Sequence, residues 1–171
     1  MPQPASIRPR KRVAFLNSGA GADKKTSTAK IGAKEMVELF KQVPYTPLND
    51  KISVEHLGFG TARIRLRVDS QNLRPGGTVS GPVLFTLCDM VAWAVVCSLN
   101  GKSLLSVTTS TSIDFLNKPR AGHDLIGMGE VLKNGKRLVV SRVSVHSDGD
   151  LENAVAHASV TYSVPPTQSK L

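Results

Sequence analysis

The rhythm of apolar and polar residues divides the chain into a patternless start, one short amphipathic stretch, two alternating stretches, a solid apolar block and four more alternating stretches. The block, Gly81 to Leu99 (GPVLFTLCDMVAWAVVCSL), dominates the rest. It is long enough for about five helical turns, and apolar residues cover almost its whole circumference. A helix that is apolar all round is buried, either in a protein core or in a membrane. Its length is near the lower limit for a membrane span. A span would set Asp89 at mid-bilayer, where a charge is costly, and both flanks read as amphipathic strands. The block is therefore expected to be the core helix of a soluble domain.

The stretches around it fit that expectation. Gly32 to Val43 reads as a short amphipathic helix with Met36, Val37, Phe40 and Val43 on one side, stopped by Pro44. Ile52–Leu57 and Thr61–Val68 flank Gly58-Phe59-Gly60, a hairpin signal. The second arm alternates without a fault. Ala62, Ile64, Leu66 and Val68 share one face, and Arg63, Arg65 and Arg67 the other. That is a half-solvated antiparallel strand; the arginines suit a wetted sheet face, and a phosphate-bearing ligand could also use them. The loop 70–80 leads into the helix, and Asn100-Gly101 ends it. Four strands follow, near 104–116, 124–133, 137–147 and 154–164, with Asn134-Gly135 as a tight hairpin turn between the second and third. The order predicts an α+β domain in which one face of an antiparallel six-stranded sheet lies against a helix. One helix covers only part of such a sheet and edge strands need blunting, so self-association is expected.

Composition changes the picture in two places. The 171 residues are one domain's worth. The net charge of +9 suggests nucleic acid until it is mapped: residues 1–30 carry +6 of it, and show no apolar periodicity. Basicity then belongs to a tail and not to a basic face of the domain, which argues against nucleic-acid binding. Residues 1–31 are read as a disordered basic extension, 32–166 as the domain and 167–171 as a short tail. The extension lacks the apolar run of a secretory signal, and its early prolines disfavour the amphipathic helix of a transit peptide. Cys88 and Cys97 lie nine positions apart on one helix, roughly 13 Å along the axis, too far for a disulfide. Core thiols fit a reducing compartment, so a cytoplasmic location is expected. Neither the cysteines nor the four scattered histidines have a metal-binding spacing.

Chemistry concentrates on Asp89. Between Arg74 and Lys102 it is the only charged residue, with no Lys or Arg at helical spacing. A carboxylate in apolar surroundings costs several kcal/mol unless something pairs with it, and such groups are frequently functional. The helix start is the second feature. Ser80 or Gly81 can cap it and Pro82 needs no N–H there, so the Gly81 and Val83 amides and the positive end of the dipole face the loop, a place for an anion or a developing oxyanion. Asp89 lies roughly 12 Å further along the axis. Helices from two subunits can bring both to one reacting atom.

RPGGTVSGPVLFTLCDMVAWAVV, followed by SVTTSTSIDFLNKPRAG and the Asn134-Gly135 hairpin, resembles the hotdog-fold acyl-CoA thioesterases of the phenylacetate-pathway (PaaI-like) type. The resemblance runs from about Val43 to Pro165 and is most specific between Gly76 and Asp89. It implies a six-stranded antiparallel sheet wrapped around one long central helix, with active sites at a dimer interface. It implies hydrolysis of an acyl-CoA thioester to free acid and CoA, with CoA as part of the substrate and no separate cofactor or metal. It places the general base or nucleophile at Asp89, the carbonyl-polarising amide at Gly81 and a water-assisting hydroxyl near Thr108. The chain departs from the family where His-Gly-Gly is replaced by Ser80-Gly81-Pro82, and where the loop Asn is replaced by Arg74, with Asn72 nearby. CoA phosphates need cations at the pocket mouth; Lys118, Arg120, Lys136 and Arg137 are candidates, and Arg74 is the charge nearest the helix start.

Substrate-side candidates are therefore Arg74, Ser80, Val83, Lys118 and Arg120, with self-association as a homodimer or a dimer of dimers. Two other functions compete. Hotdog dehydratases and hydratases pair a carboxylate with a catalytic His, but His56, His123, His146 and His157 all lie outside the helix and its leading loop. A non-catalytic acyl-CoA binder is the alternative from a different class. A DNA-binding regulator is disfavoured, because the region before Val43 holds one convincing helix, too little for a helix-turn-helix.

Overall fold

A computed structural model describes residues 27–43 and 48–165. In chain order the elements are α1 (Ala33–Lys41), β1 (Ile52–Gly58), β2 (Thr61–Leu66), the two-residue strands β3 (Leu73–Arg74) and β4 (Thr78–Val79), α2 (Gly81–Asn100), β5 (Val107–Phe115), β6 (Leu125–Asn134), β7 (Leu138–Ser147) and β8 (Asp150–Ser163). Six strands form one sheet in the order β1-β2-β6-β7-β8-β5, every neighbouring pair antiparallel, while β3 and β4 make a small separate ribbon. The sheet wraps α2, the hotdog arrangement expected from the sequence.

Close approach of helix and sheet depends on two glycines. Gly127 and Gly129 fall on the inner face of β6, and a Cβ at either would sit 2.6 Å from a methyl of Val91. Val91, Val95 and Leu87 fill that space and are fully buried. On β2 the alternation holds, with Ala62, Ile64 and Leu66 buried against the helix and the arginines on the other face. Arg65 binds Glu55, Asp124 and Asp148, and Arg63 shares Glu55, so a carboxylate network occupies these two side chains. α1 closes one end, where Phe40 meets Trp93 edge-on at 5.5 Å. Its buried side is Met36, Leu39 and Phe40, with Leu39 where the expected stripe had Val37.

The structure corrects several boundaries. Lys30 donates its N–H to Ser98 O at 2.9 Å and Ile31 is buried in the core. The domain therefore begins before residue 32. The rest of the expected extension (1–26), the Pro44 stop and the expected tail at 167–171 lie outside the described residues. β5 starts at Val107 and not 104, because Ser106 N–H closes a turn onto Ser103 O, and Trp93 Nε1 donates to that same carbonyl. β8 starts four residues early, at Asp150, by pairing back onto Ser147. Asn134-Gly135 is not the turn itself: Asn134 still pairs with Val139 and Gly135 N–H donates to Leu138 O, so Lys136 and Arg137 make the reversal.

Candidate active site

α2 is buried along most of its length, but the stripe of Pro82, Phe85, Thr86 and Asp89 is not covered by the sheet. Asp89 is therefore half-buried in the single chain, and it is held by hydroxyls although helical spacing offers it no charged partner. Thr108 Oγ1 donates to Asp89 Oδ1 at 2.7 Å, and the Tyr162 hydroxyl donates to the same oxygen at 2.9 Å. The convergence follows from strand register. Thr108 and Tyr162 face each other across β5 and β8. The next pair is Ser110 with Thr161, so Thr109 is an extra residue, and such a bulge bends the strand and re-aims its side chains.

Tyr162 is 4% exposed. Burial and the Asp89 charge raise its phenol above the ordinary tyrosine range, so it remains a donor. Sequence reasoning missed this residue. The available signal was a lone phenol on the core-facing side of the last strand, in series with Ala156, Ala158 and Val160.

The helix start is the second component. Ser80 is the N-cap residue without a side-chain cap bond; its N–H donates to Asn72 O and its carbonyl accepts from Leu84 N–H. Pro82 has no amide hydrogen, and among the described residues the Gly81 and Val83 N–H groups have no hydrogen-bond partner. They are the orphan donors of a helix N-terminus, carrying its partial positive charge. Phe115 packs over Gly81, where an added Cβ would lie 3.4 Å from the ring. Together with Arg74, Thr78, Val79, Leu84, Leu116 and Lys118, these two residues line an open cleft of about 370 Å³.

Arg74 and Lys118, two cations, thus share one cleft with Gly81 and an apolar wall. Arg120 does not line it; its side chain reaches Asp150 at 3.6 Å and its N–H is bound by Ser147 Oγ. Asn72 is buried as a structural group, its side-chain oxygen accepting the Asp69 N–H. Gly81 and Asp89 sit two helical turns apart along one axis, as the sequence requires.

Both cysteines are buried and free. Burial, with a smaller contribution from the Asp89 charge, pushes the Cys88 thiol up to about 12, and burial pushes Cys97 up to about 11. Neither is a nucleophile at neutral pH.

A thioesterase superfamily model matches residues 76–154, the span from the loop before α2 into β8. A sequence comparison with curated proteins finds no match. Among solved structures, a protein of Silicibacter sp. TM1040 that carries the name thioesterase is 34% identical, with a TM-score of 0.72 over 83% of this chain and 97% of that one. A thioesterase protein of Streptococcus pneumoniae TIGR4, solved with coenzyme A, is 25% identical with a TM-score of 0.65 over 81% and 100%. That protein has also been solved as an Asp→Ala and as a Thr→Ala variant. The phenylacetic acid degradation protein PaaI of Thermus thermophilus, as a mutant, shares the fold at 23% identity, TM-score 0.59, over 67% and 93%. The shared hotdog architecture, the superfamily match across the central helix and the close likeness to the Silicibacter protein over nearly its whole length lead to one conclusion: this chain belongs to the thioesterase superfamily and is a thioester hydrolase.

Proposed function

We propose that the substrate is an acyl-CoA thioester and that Asp89 is the general base or nucleophile of its hydrolysis. The observation that carries this reading is the placement of Asp89. It is the one acidic residue on an apolar helix, it lies on the stripe that the sheet leaves open, and both hydroxyl contacts fall on Oδ1. Among the described residues Oδ2 accepts no hydrogen bond, so it is the oxygen available to a water or a thioester carbon.

As general base, Asp89 takes a proton from water while the water oxygen attacks the thioester carbonyl. The oxyanion that forms is stabilised by the Gly81 and Val83 amides at the start of a second α2. Collapse expels the CoA thiolate, which takes the proton back from Asp89. As nucleophile, Asp89 itself attacks the thioester carbon and the C–S bond breaks to expel the CoA thiolate. Water then hydrolyses the mixed anhydride, returning the Asp89 carboxylate, releasing the acid and supplying the thiolate's proton. Thr108 keeps the carboxylate oriented by its hydrogen bond to Oδ1.

Two copies are needed because one helix cannot bring its own start to its own Asp89. The edge of the sheet supports such pairing: Val107 and Phe115 on β5, with Leu104 and Leu105 just before it, are exposed. Arg74 and Lys118 suit the phosphates of CoA, and the coenzyme A bound by the Streptococcus pneumoniae protein favours that ligand class.

The test is Asp89→Asn, assayed by thiol release across a panel of acyl-CoA thioesters. Turnover should fall by about two to four orders of magnitude, with the melting temperature unchanged or raised, as is common when a functional site is relaxed. Near-normal turnover with a lowered melting temperature would remove Asp89 from the mechanism, whereas thiol release from no member of the panel by the wild type would favour a non-catalytic acyl-CoA binder.

A further inference from the structure

We infer that Tyr162 is a positioning residue of this site: its hydroxyl, with that of Thr108, pins Oδ1 of Asp89 so that Oδ2 is presented in one fixed orientation to the reacting atoms. The inference rests on Asp89 being the reactive carboxylate, and adds a role for a residue on the last strand.

The geometry has three independent parts. The phenol oxygen lies 2.9 Å from Asp89 Oδ1 and 3.3 Å from the backbone carbonyl of the same residue, so one hydroxyl ties the side chain to the helix that bears it. Thr108 reaches the same Oδ1 from the opposite strand at 2.7 Å, and the Thr109 bulge puts both hydroxyls at one rung of the sheet. The ring of Tyr162 is in the core, and its neighbours on that face of β8, Val160 and Ala158, are buried, so the phenol cannot swing to solvent without opening the sheet. A carboxylate has two torsions of its own. Two donors on one oxygen remove that freedom before substrate arrives, and preorganisation of this kind is a recurrent source of rate.

A purely structural reading treats the hydrogen bond as mere satisfaction of a buried phenol. The two readings differ in what Tyr162→Phe does. That variant keeps the ring and removes the hydroxyl, and it also frees the carboxylate. If Tyr162 positions Asp89, kcat should fall about tenfold to a hundredfold, the range expected for losing one hydrogen bond to a charged group, while KM stays within about twofold because the phenol touches no substrate. Thr108→Val should behave similarly. The double variant should lose less than the product of the two single losses, since both hydroxyls act on one oxygen and the first loss already frees it.

The experiment measures kcat and KM for full-length wild type, Tyr162→Phe, Thr108→Val, the double variant and Asp89→Asn, on the acyl-CoA that wild type turns over fastest. Full turnover in Asp89→Asn would overturn the parent reading. Loss in Asp89→Asn with kcat within twofold of wild type in Tyr162→Phe would overturn this one alone, as would a rise in KM at constant kcat. A second measurement does not depend on Tyr162→Phe folding. The chain has two tyrosines, Tyr45 and Tyr162, so a Tyr45→Phe chain grown with 3-fluorotyrosine reports on Tyr162 alone. Its fluorine resonance should move when Asp89→Asn is added in the folded protein, and an unmoved resonance would show that the contact is absent in solution.

Discussion

At the scale of single residues, burial decides which groups react and which respond to pH. His146 is 3% exposed on β7, with Nε2 against Ser144 Oγ and no hydrogen-bond partner for Nδ1. Burial chiefly lowers its pKa, the Arg63 charge lowers it further, and Asp150 opposes them. Above about pH 6.5 the imidazole is neutral in both folded and unfolded chains and costs nothing. As pH falls below that value the unfolded chain takes up a proton that the folded chain resists, so stability is lost until the folded pKa is also passed. The melting temperature should therefore decline as pH falls below about 6.5, and His146→Asn should flatten that decline. Asp148, held low first by Arg65, and Asp69, held low first by Lys51, act in a separate window beneath the carboxylate range, where their ion pairs are lost as pH falls. The cysteines give a second residue-scale expectation. With thiols raised by burial, Cys88 and Cys97 should resist alkylation in the native protein at pH 8 and react fully after denaturation. Rapid native labelling of either would contradict their placement in the core.

At the scale of elements, the site depends on how closely α2 lies on β6. Gly127 and Gly129 allow the contact, and α2 in turn sets the height of Asp89 above the Thr108–Tyr162 rung. In Gly129→Ala the new methyl would meet Val91 at 2.6 Å and Val95 at 3.0 Å, with both valines fully buried. Overpacking of this kind costs about 1–3 kcal/mol, which denaturant unfolding would read directly. A loss below about 0.5 kcal/mol would mean the helix rides further from the sheet. The same element explains the apolar circumference of Gly81–Asn100. It is the one helix among the described residues long and apolar enough to cross a membrane, and the sheet covers most of that surface.

At the scale of the whole molecule, the open stripe on α2 and the exposed β5 edge call for a second copy. A dimer or larger assembly is expected at micromolar concentration by sedimentation. If each site joins Asp89 of one chain to the helix start of another, an Asp89→Ala chain mixed and refolded with a Gly81→Val chain should recover turnover that neither has alone. The second substitution branches at Cβ, where Phe115 already stands 3.4 Å away. A stable monomer that hydrolyses thioesters would rule out the shared site.

The sequence by itself determined what depends on periodicity and solvation. The apolar circumference of Gly81–Leu99 requires burial wherever the helix sits, and the strict alternation of β2 requires one wet face, so one core helix and an antiparallel sheet were legible, as was Asp89 as an isolated charge. Turn chemistry was less decisive: Asn134-Gly135 marked a reversal correctly, while the pairing of Asn134 with Val139 and of Gly135 with Leu138 moved the turn two residues on. The sequence could not show which hydroxyl meets which oxygen. Thr108 and Tyr162 are more than fifty residues apart, and their meeting at Asp89 depends on the β5–β8 register and on one bulge, both fixed by packing across the whole sheet. For the same reason Lys118 and Arg120, equivalent as loop cations in the sequence, are separated by the fold, Lys118 lining the cleft and Arg120 reaching Asp150. Local pattern selects the elements and their buried faces, and long-range register, which no local pattern encodes, decides the site.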